Sequence, residues 1–383
     1  MGVLIQDTAR NNLVTWSVHA VAGGYGVGTM LSPFASPFEA NGFKRSALAT
    51  SEAIREAGGE FWLDPMTYAL DMPRAGDFRH YAEWDFWSTT RGDLTSRAAM
   101  REHVQRVFRA QTALDSPALA PTVLVSYPDT PRSQTALELA QVAMEADTGA
   151  WLSVAGDQEF WSAGAELDAH VGALDQLEPA GWMFIVTRGD NSMPPSASTN
   201  EIFGLMRATY ALSQDRPVRV AYGDLAAVPA LAAGAEVVGT GWDIRQRICA
   251  YQDFEERPAD TQDGGGWYQR PTLAGLLGGL TSREYEVLVS EEAALAARLT
   301  PAAIGPRPEQ AFRHHATVLT NVATALSSLS GRARAEAMRQ MYLDAEGEWP
   351  AVQAITGTRL GPSRWIAPFK AGLEVFMTSE GWL

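Results

Sequence analysis

The chain of 383 residues has one cysteine, Cys249, so it can build neither an internal disulfide nor a cysteine-rich zinc site. Without a disulfide framework a cytoplasmic location is expected. No apolar run approaches the ~20 residues that span a bilayer. The first ten residues lack the basic-then-apolar order of a secretion signal. Positive charge is short as well. Thirty Lys and Arg stand against 45 Asp and Glu, a formal net charge of −15, which argues against non-specific nucleic-acid binding and against docking on anionic membranes. The six histidines show no ligand spacing, and a site built from carboxylates alone would suit Mg²⁺ or Mn²⁺ rather than zinc. No P-loop, Gly-x-Ser-x-Gly elbow or dinucleotide fingerprint occurs. The glycine-rich Gly23-Gly24-Tyr25-Gly26-Val27-Gly28 lacks both the spacing and the helix that a fingerprint needs. No metal and no cofactor is assigned.

What is present is an alternation of β-rich and helical segments in a chain long enough for one large domain and a smaller one. Strands are expected at 13–20, 28–33, 60–63, 121–127, 150–155 and 182–187. The last two come from the stretch 217–243, where Pro-Val-Arg-Val-Ala-Tyr-Gly-Asp and Glu-Val-Val-Gly-Thr-Gly-Trp-Asp flank an Ala/Leu helix with Asp224 as N-cap and Gly234 as stop. Helices are expected at 44–57, 94–113 (capped by Asp93), 133–146, 159–174 and from Ser198 or Thr199 to 212. Eight strands at this pace predict an α/β fold, a (β/α)8 TIM-like barrel, over 1–254; an open doubly wound sheet is the other arrangement. The first two strands are joined by too few residues for a helical crossover, which predicts a hairpin or an irregular link there. The aromatic insertion 66–92 reads as part of a binding face or as a packing segment. Beyond the polar, glycine-rich 255–266 the pattern is helical, giving a C-terminal subdomain over 255–383 without strands.

Chemistry is sought where the strands end. Asp64, Asp157, Asp190, Asp224 and Asp243 all stand there, three of them as Gly-Asp. Converging carboxylates would raise at least one pKa and supply an acid, a base or a nucleophile. Each of them can instead cap the helix that follows. Asp243 is the least cap-like, and Arg245 and Arg247 beside it could hold an anion or pair with nearby carboxylates.

The stations Gly156-Asp157-Gln158, Arg188-Gly189-Asp190, the helix with Glu201, Ala221-Tyr222-Gly223-Asp224 and Gly239-Thr240-Gly241-Trp242-Asp243 resemble, in order, the second half of the tRNA-guanine transglycosylase barrel. Leu63-Asp64-Pro65-Met66-Thr67-Tyr68-Ala69-Leu70 is similar to that family's Asn-Thr-Tyr-His-Leu segment. The resemblance implies Asp243 as a nucleophile toward a ribose C1′ and Asp85 as a second acid/base group. Asp64 joins them as a strand-end carboxylate. Asp157, Gln158, Arg188, Asp190, Tyr222, Gly223, Asp224, Gly241, Trp242 and Arg245 would bind the ligand. The family's zinc cysteines are absent, so no zinc is expected, and the acidic surface favours a nucleobase-like small molecule over tRNA. The resulting expectation is a transferase or glycosidase acting on an N-glycosidic bond. Two alternatives remain open. One is a phosphate- or flavin-binding barrel using Gly223, Gly239 and Gly241. The other is a non-catalytic barrel that assembles as a homo-oligomer or binds a partner through its tryptophan-rich insertion and helical tail.

Overall fold

The computed structural model describes the chain apart from residues 10, 41, 43, 77, 78, 191, 193, 243, 256–269, 301, 303, 306 and 360; for 79, 244, 245 and 363 it describes the backbone alone. Eight parallel strands, β1 (Gly2–Asp7), β2 (Gly28–Leu31), β3 (Glu60–Leu63), β4 (Leu124–Val125), β5 (Trp151–Gly156), β6 (Gly181–Arg188), β7 (Val218–Ala221) and β8 (Val237–Gly241), form one curled sheet in the order β3-β2-β1-β8-β7-β6-β5-β4. β1 pairs with β8, Leu4 opposite Gly239, which is the pairing that closes a (β/α)8 barrel. The intervening helices are α1 (Asn11–Ala22), α2 (Ala47–Glu56), α3 (Arg97–Ala113), α4 (Pro131–Ala146), α5 (Ala165–Asp175), α6 (Thr199–Leu212) and α7 (Asp224–Ala233).

The first strand is not where periodicity puts it. Residues 13–20 lie in α1, and β1 is the apolar run Gly-Val-Leu-Ile-Gln-Asp before it, buried at all six positions. A strand covered on both faces loses the polar–apolar alternation that marks a half-buried one, and these six residues carry no such alternation. With β1 at Gly2–Asp7, α1 is an ordinary crossover to β2 and no hairpin is needed. Smaller corrections follow from local capping. Ser96, accepting from the Ala99 N–H, caps α3 in place of Asp93, and the helix expected at 159–174 is broken into Gln158–Trp161 and α5 around Gly164. Asp224 is the first residue of α7 rather than its cap, while Gly234 (φ 119°) ends that helix as expected. All ten residues of α7 are buried, because a further layer of helices covers it.

Among the described residues no ladder joins β3 to β4, so the barrel has one seam. Side chains bridge it. Gln111 on α3 donates from Nε2 to the Leu63 and Leu119 carbonyls (3.0 and 2.9 Å) and accepts the Leu119 N–H at Oε1, and the Ser116 hydroxyl accepts the Leu63 N–H. A carboxamide thus makes the hydrogen bonds that a ladder would make elsewhere in the sheet. Below the seam the Arg219 guanidinium lies between Trp62 and Trp151, 4.9 and 5.0 Å from the ring centroids, and pairs with Glu60, so a cation–π sandwich fills the bottom of the barrel. In the aromatic insertion Tyr68, Tyr81, Trp84 and Phe86 are buried, and the Phe34 and Tyr81 rings pack tilted with centroids 4.3 Å apart.

The C-terminal region continues the barrel's layers. α8 (Pro308–Ser327) packs on β1, α1 and α7 and takes the eighth helix position, while α9 (Gly331–Thr356) and α10 (Ile366–Ser379) lie over α7 and α6. α10 approaches α6 closely at Gly372, where a Cβ would stand 2.6 Å from the Ile202 Cβ. One hydrophobic core joins Leu152, Trp182 and Leu231 of the barrel to Trp349 and Phe369 of this region. The expectation of no strand after 255 is corrected by an antiparallel pair, Thr272–Leu273 with Gly278–Gly279. No helix among the described residues is long and apolar enough to cross a membrane.

Candidate functional site

A strap crosses the mouth at the C-terminal ends of the strands. After β8 the chain returns over the barrel, Cys249–Ala250 pair with Thr187 and Arg188 at the tip of β6, and the Phe254 carbonyl accepts the Gly76 N–H at 2.8 Å. Strap residues line two cavities. Ile248, Cys249, Asp253 and Phe254 face one and Tyr251 faces the other.

The first cavity has about 340 Å³ and lies over the ends of β1, β2, β7 and β8, with Gln6, Asp7, Ser32, Phe34, Lys44, Met66 and Tyr222 among its walls. Gln6 is 2% exposed, yet among the described residues neither its Oε1 nor its Nε2 has a hydrogen-bond partner. Leaving a buried carboxamide unsatisfied costs about 1–3 kcal/mol, so its persistence in a cavity wall marks a position that a ligand can satisfy. Gly239 makes room for it, because a Cβ there would stand 2.3 Å from Gln6 Nε2. Beside Gln6, Asp7 accepts the Thr8 N–H and the Ser17 hydroxyl, and Ser17 in turn accepts the Trp242 indole N–H at 2.8 Å. The Lys44 ammonium donates to the Ala35 carbonyl.

Under this cavity sits Asp64, at the end of β3 and 1% exposed. It accepts the Tyr68 hydroxyl at 2.7 Å and the Met66 N–H at 2.9 Å, and the Tyr222 hydroxyl reaches it as well. Burial pushes its carboxyl up to about 6 against the pull of these donors, none of which carries charge. Burial first, then the Asp64 charge, holds the Tyr222 phenol well above its ordinary value, so it stays a proton donor. Burial likewise raises the Cys249 thiol. Met66 (φ 48°) and Tyr222 (φ 55°) are both left-handed, a conformation that costs a non-glycine residue on the order of 1 kcal/mol. Both line this cavity.

The second cavity, about 280 Å³, gathers Asp157, Gln158, Glu159, Arg188, Asp190 and Tyr251 at the ends of β5 and β6. Four of the residues expected to bind a ligand therefore meet there. Asp157 also caps Gln158–Trp161, accepting the Glu159 and Phe160 N–H groups, and takes the Tyr251 hydroxyl at 3.0 Å. For Asp157 the capping reading of a strand-end aspartate holds.

Asp224 opens into neither large cavity. It is fully buried at the head of α7 (φ 46°) and accepts the Thr240 hydroxyl at 2.6 Å and His315 Nε2 at 3.0 Å, while His315 Nδ1 meets the Thr272 hydroxyl at 2.8 Å. Burial alone would raise its carboxyl, but His315, Arg247 and Thr240 together hold it down at about 2. Burial and then Arg247 push His315 below its ordinary value while the Asp224 charge and hydrogen bond pull it up, and the imidazole bridges the aspartate to the Thr272 strand. This network ties α8 and the antiparallel pair to β8.

The remaining expectations fall elsewhere. Asp243 and the Arg245 side chain lie outside the described residues. The Asp85 carboxylate is largely exposed and pairs with Arg106 on α3, lining neither cavity. Trp242 packs on Trp16 and Phe312 behind the sheet rather than stacking at the mouth. Gly223, Gly239 and Gly241 face Ala227, Gln6 and Gln246 where their Cβ atoms would be, so they serve packing and leave no open phosphate cradle. Gln6, Asp7, Lys44 and Asp253 were not singled out in the sequence. The available signal was the run Val-Leu-Ile ending in Gln6-Asp7. Among the described residues no group of three His, Cys, Asp or Glu side chains is placed to hold a metal ion.

No family model matches the chain, and no curated protein matches it. Among solved structures it is similar to the 3-dehydroquinate dehydratase of Enterococcus faecalis (11% identity, TM-score 0.33, 62% of this chain and 88% of that one). It is similar to the D-allulose 3-epimerase of Methylomonas sp. (10% identity, TM-score 0.30, 62% and 84%). A probable tagatose 6 phosphate kinase from Sinorhizobium meliloti 1021 aligns over 99% of this chain and 98% of its own, at 11% identity and a TM-score of 0.34. Scores this low assign neither a family nor an activity, and the functional reading rests on the cavities.

Proposed function

We propose that the chain is an enzyme and that the first cavity binds a planar heterocycle, a nucleobase or nucleoside, on which it performs acid–base-assisted N-glycosidic chemistry. The observation that carries this reading is the unpartnered Gln6 carboxamide. It offers one donor and one acceptor side by side, the pattern with which Gln reads the edge of a base. Phe34, Tyr222 and Phe254 supply aromatic walls. Tyr222 gives a proton to the departing heterocycle, and protonated Asp64 restores it. A carboxylate meets the ribose C1′ as the bond to nitrogen breaks. Asp243 is the candidate for that role from the sequence, and Asp7 is the carboxylate that lines the cavity beside Gln6. Water or a second base then displaces the carboxylate from C1′, and the proton it loses returns through Tyr222 to the Asp64 carboxylate, giving hydrolysis or exchange.

Calorimetric titration with free bases and nucleosides, on the native chain and on Gln6→Met, tests the reading. At least one base should bind the native chain and fail to bind the variant. The variant itself should be more stable by about 1–2 kcal/mol, because an apolar side chain of similar shape replaces unsatisfied polar atoms. Equal binding by both proteins, or binding of no base at all, sinks the proposal.

A further inference from the structure

The second cavity calls for a ligand of its own, whatever the first one holds. We propose that it is a binding site for a polyhydroxylated ligand presenting a vicinal diol, a sugar or a polyol. Its walls are polar almost throughout, with carboxylates from Asp157, Glu159 and Asp190, the Gln158 amide and the Tyr251 phenol around the Arg188 guanidinium. Arg188 is 7% exposed and two of its nitrogens are committed: Nη1 donates to the Ser196 carbonyl at 2.6 Å, and Nη2 pairs with the fully buried Glu201 at 2.7 Å. Its Nε has no partner among the described residues, whereas the fully buried Thr187 hydroxyl reaches the Tyr251 phenol. One buried donor in the wall of the cavity is thus left to be satisfied from within it.

Charge narrows what can satisfy it. Glu201 neutralises Arg188, so the cavity has no net positive charge to attract a phosphate, and three carboxylates at its rim repel one. Hydrogen bonds from Ser192 hold the Asp190 carboxyl below its usual range, so it is ionised at neutral pH. A bare cation would suit the rim but leave the Arg188 Nε–H without an acceptor. A hydroxyl does both jobs, donating to a carboxylate while accepting from Nε. Two neighbouring hydroxyls can engage both oxygens of one carboxylate, which is the reason for specifying a vicinal diol. Because the Cys249–Ala250 strap stands between the cavities, this site and the base-binding cavity are filled separately.

The test is titration of the full chain, followed by NMR, with the methyl glycosides of ribose, glucose and galactose, with inorganic phosphate and with spermidine. At least one glycoside should bind saturably below about 50 mM, and Glu159→Gln combined with Asp190→Asn should weaken it tenfold or more. Both side chains are exposed, so the variant should keep its fold. Base binding in the first cavity should not change, which separates this inference from the proposed function. Methyl 2-deoxy-β-D-ribofuranoside, which has no vicinal diol, should bind more weakly than its ribose parent if that parent is the ligand. The inference is overturned if no glycoside binds, if phosphate or spermidine alone binds, or if the double variant binds the glycoside as well as the native chain does.

Discussion

Asp64 and Asp224 occupy matching places at the ends of β3 and β7, both almost wholly buried, yet their carboxyls titrate at about 6 and about 2. Burial acts on both in the same direction. The difference lies in what faces them. Asp64 has two phenols and one backbone N–H, which hydrogen-bond to its charge without balancing it. Asp224 has Arg247 as a counter-charge, together with an imidazole and a hydroxyl. The first arrangement leaves a group ready to change protonation beside a cavity; the second locks an ion into the framework. Strand-end position alone therefore does not mark a reactive aspartate.

The largest effect should come from breaking the locked site. Asp224→Ala removes the partner of Arg247, His315 and Thr240 at once and should destabilise the chain by about 3–5 kcal/mol in denaturant unfolding. A loss below about 1 kcal/mol would show that the network carries little. The two sites should also respond to pH with opposite signs. The Asp224 carboxyl is depressed, so its contribution is present above pH 4 and disappears as pH falls toward 2. The Asp64 carboxyl is raised, so its own contribution is largest below pH 4 and declines by roughly 3 kcal/mol as pH rises through 6. Asp64→Asn, a fixed neutral stand-in for the protonated acid, should flatten that decline. If Asp64 feeds protons to Tyr222, native turnover should also fall as pH rises through about 6, and the variant should lose turnover without losing its fold. A native stability curve that is level between pH 4 and 7 would contradict the assignment.

The (β/α)8 order was legible because β5 to β8 are apolar runs alternating with helices, and the 217–243 unit matches Val218–Ala221, Asp224–Ala233 and Val237–Gly241. The seam was hidden, since the carboxamide that bridges it comes from residue 111, 48 residues beyond Leu63. For the site, strand ends gave the right elevation but not the direction in which each side chain turns. Asp157, Gln158, Arg188 and Asp190 do share a cavity. Trp242, one residue past the last barrel strand, instead turns outward onto Phe312. Gln6 could not be identified as a wall residue while the first strand was placed at 13–20. Nothing local distinguishes Asp64 from Asp224, because the difference between them comes from Arg247 and His315, which other elements bring in.

Asp85 gives the comparison its lower limit. It is a third aspartate singled out from the sequence, but its carboxylate reaches only Arg106, at the protein surface, where Glu102 already pairs with the same guanidinium at 3.1 Å. Water screens such a pair, and Arg106 keeps a partner when Asp85 is removed, so Asp85→Asn should change stability by less than about 0.5 kcal/mol. It should leave both base binding and turnover untouched. Should turnover instead fall tenfold while the fold persists, the exposed carboxylate would have to reach the substrate. The surface pair with Arg106 would then be only one position of Asp85, and the first cavity alone could not account for the chemistry.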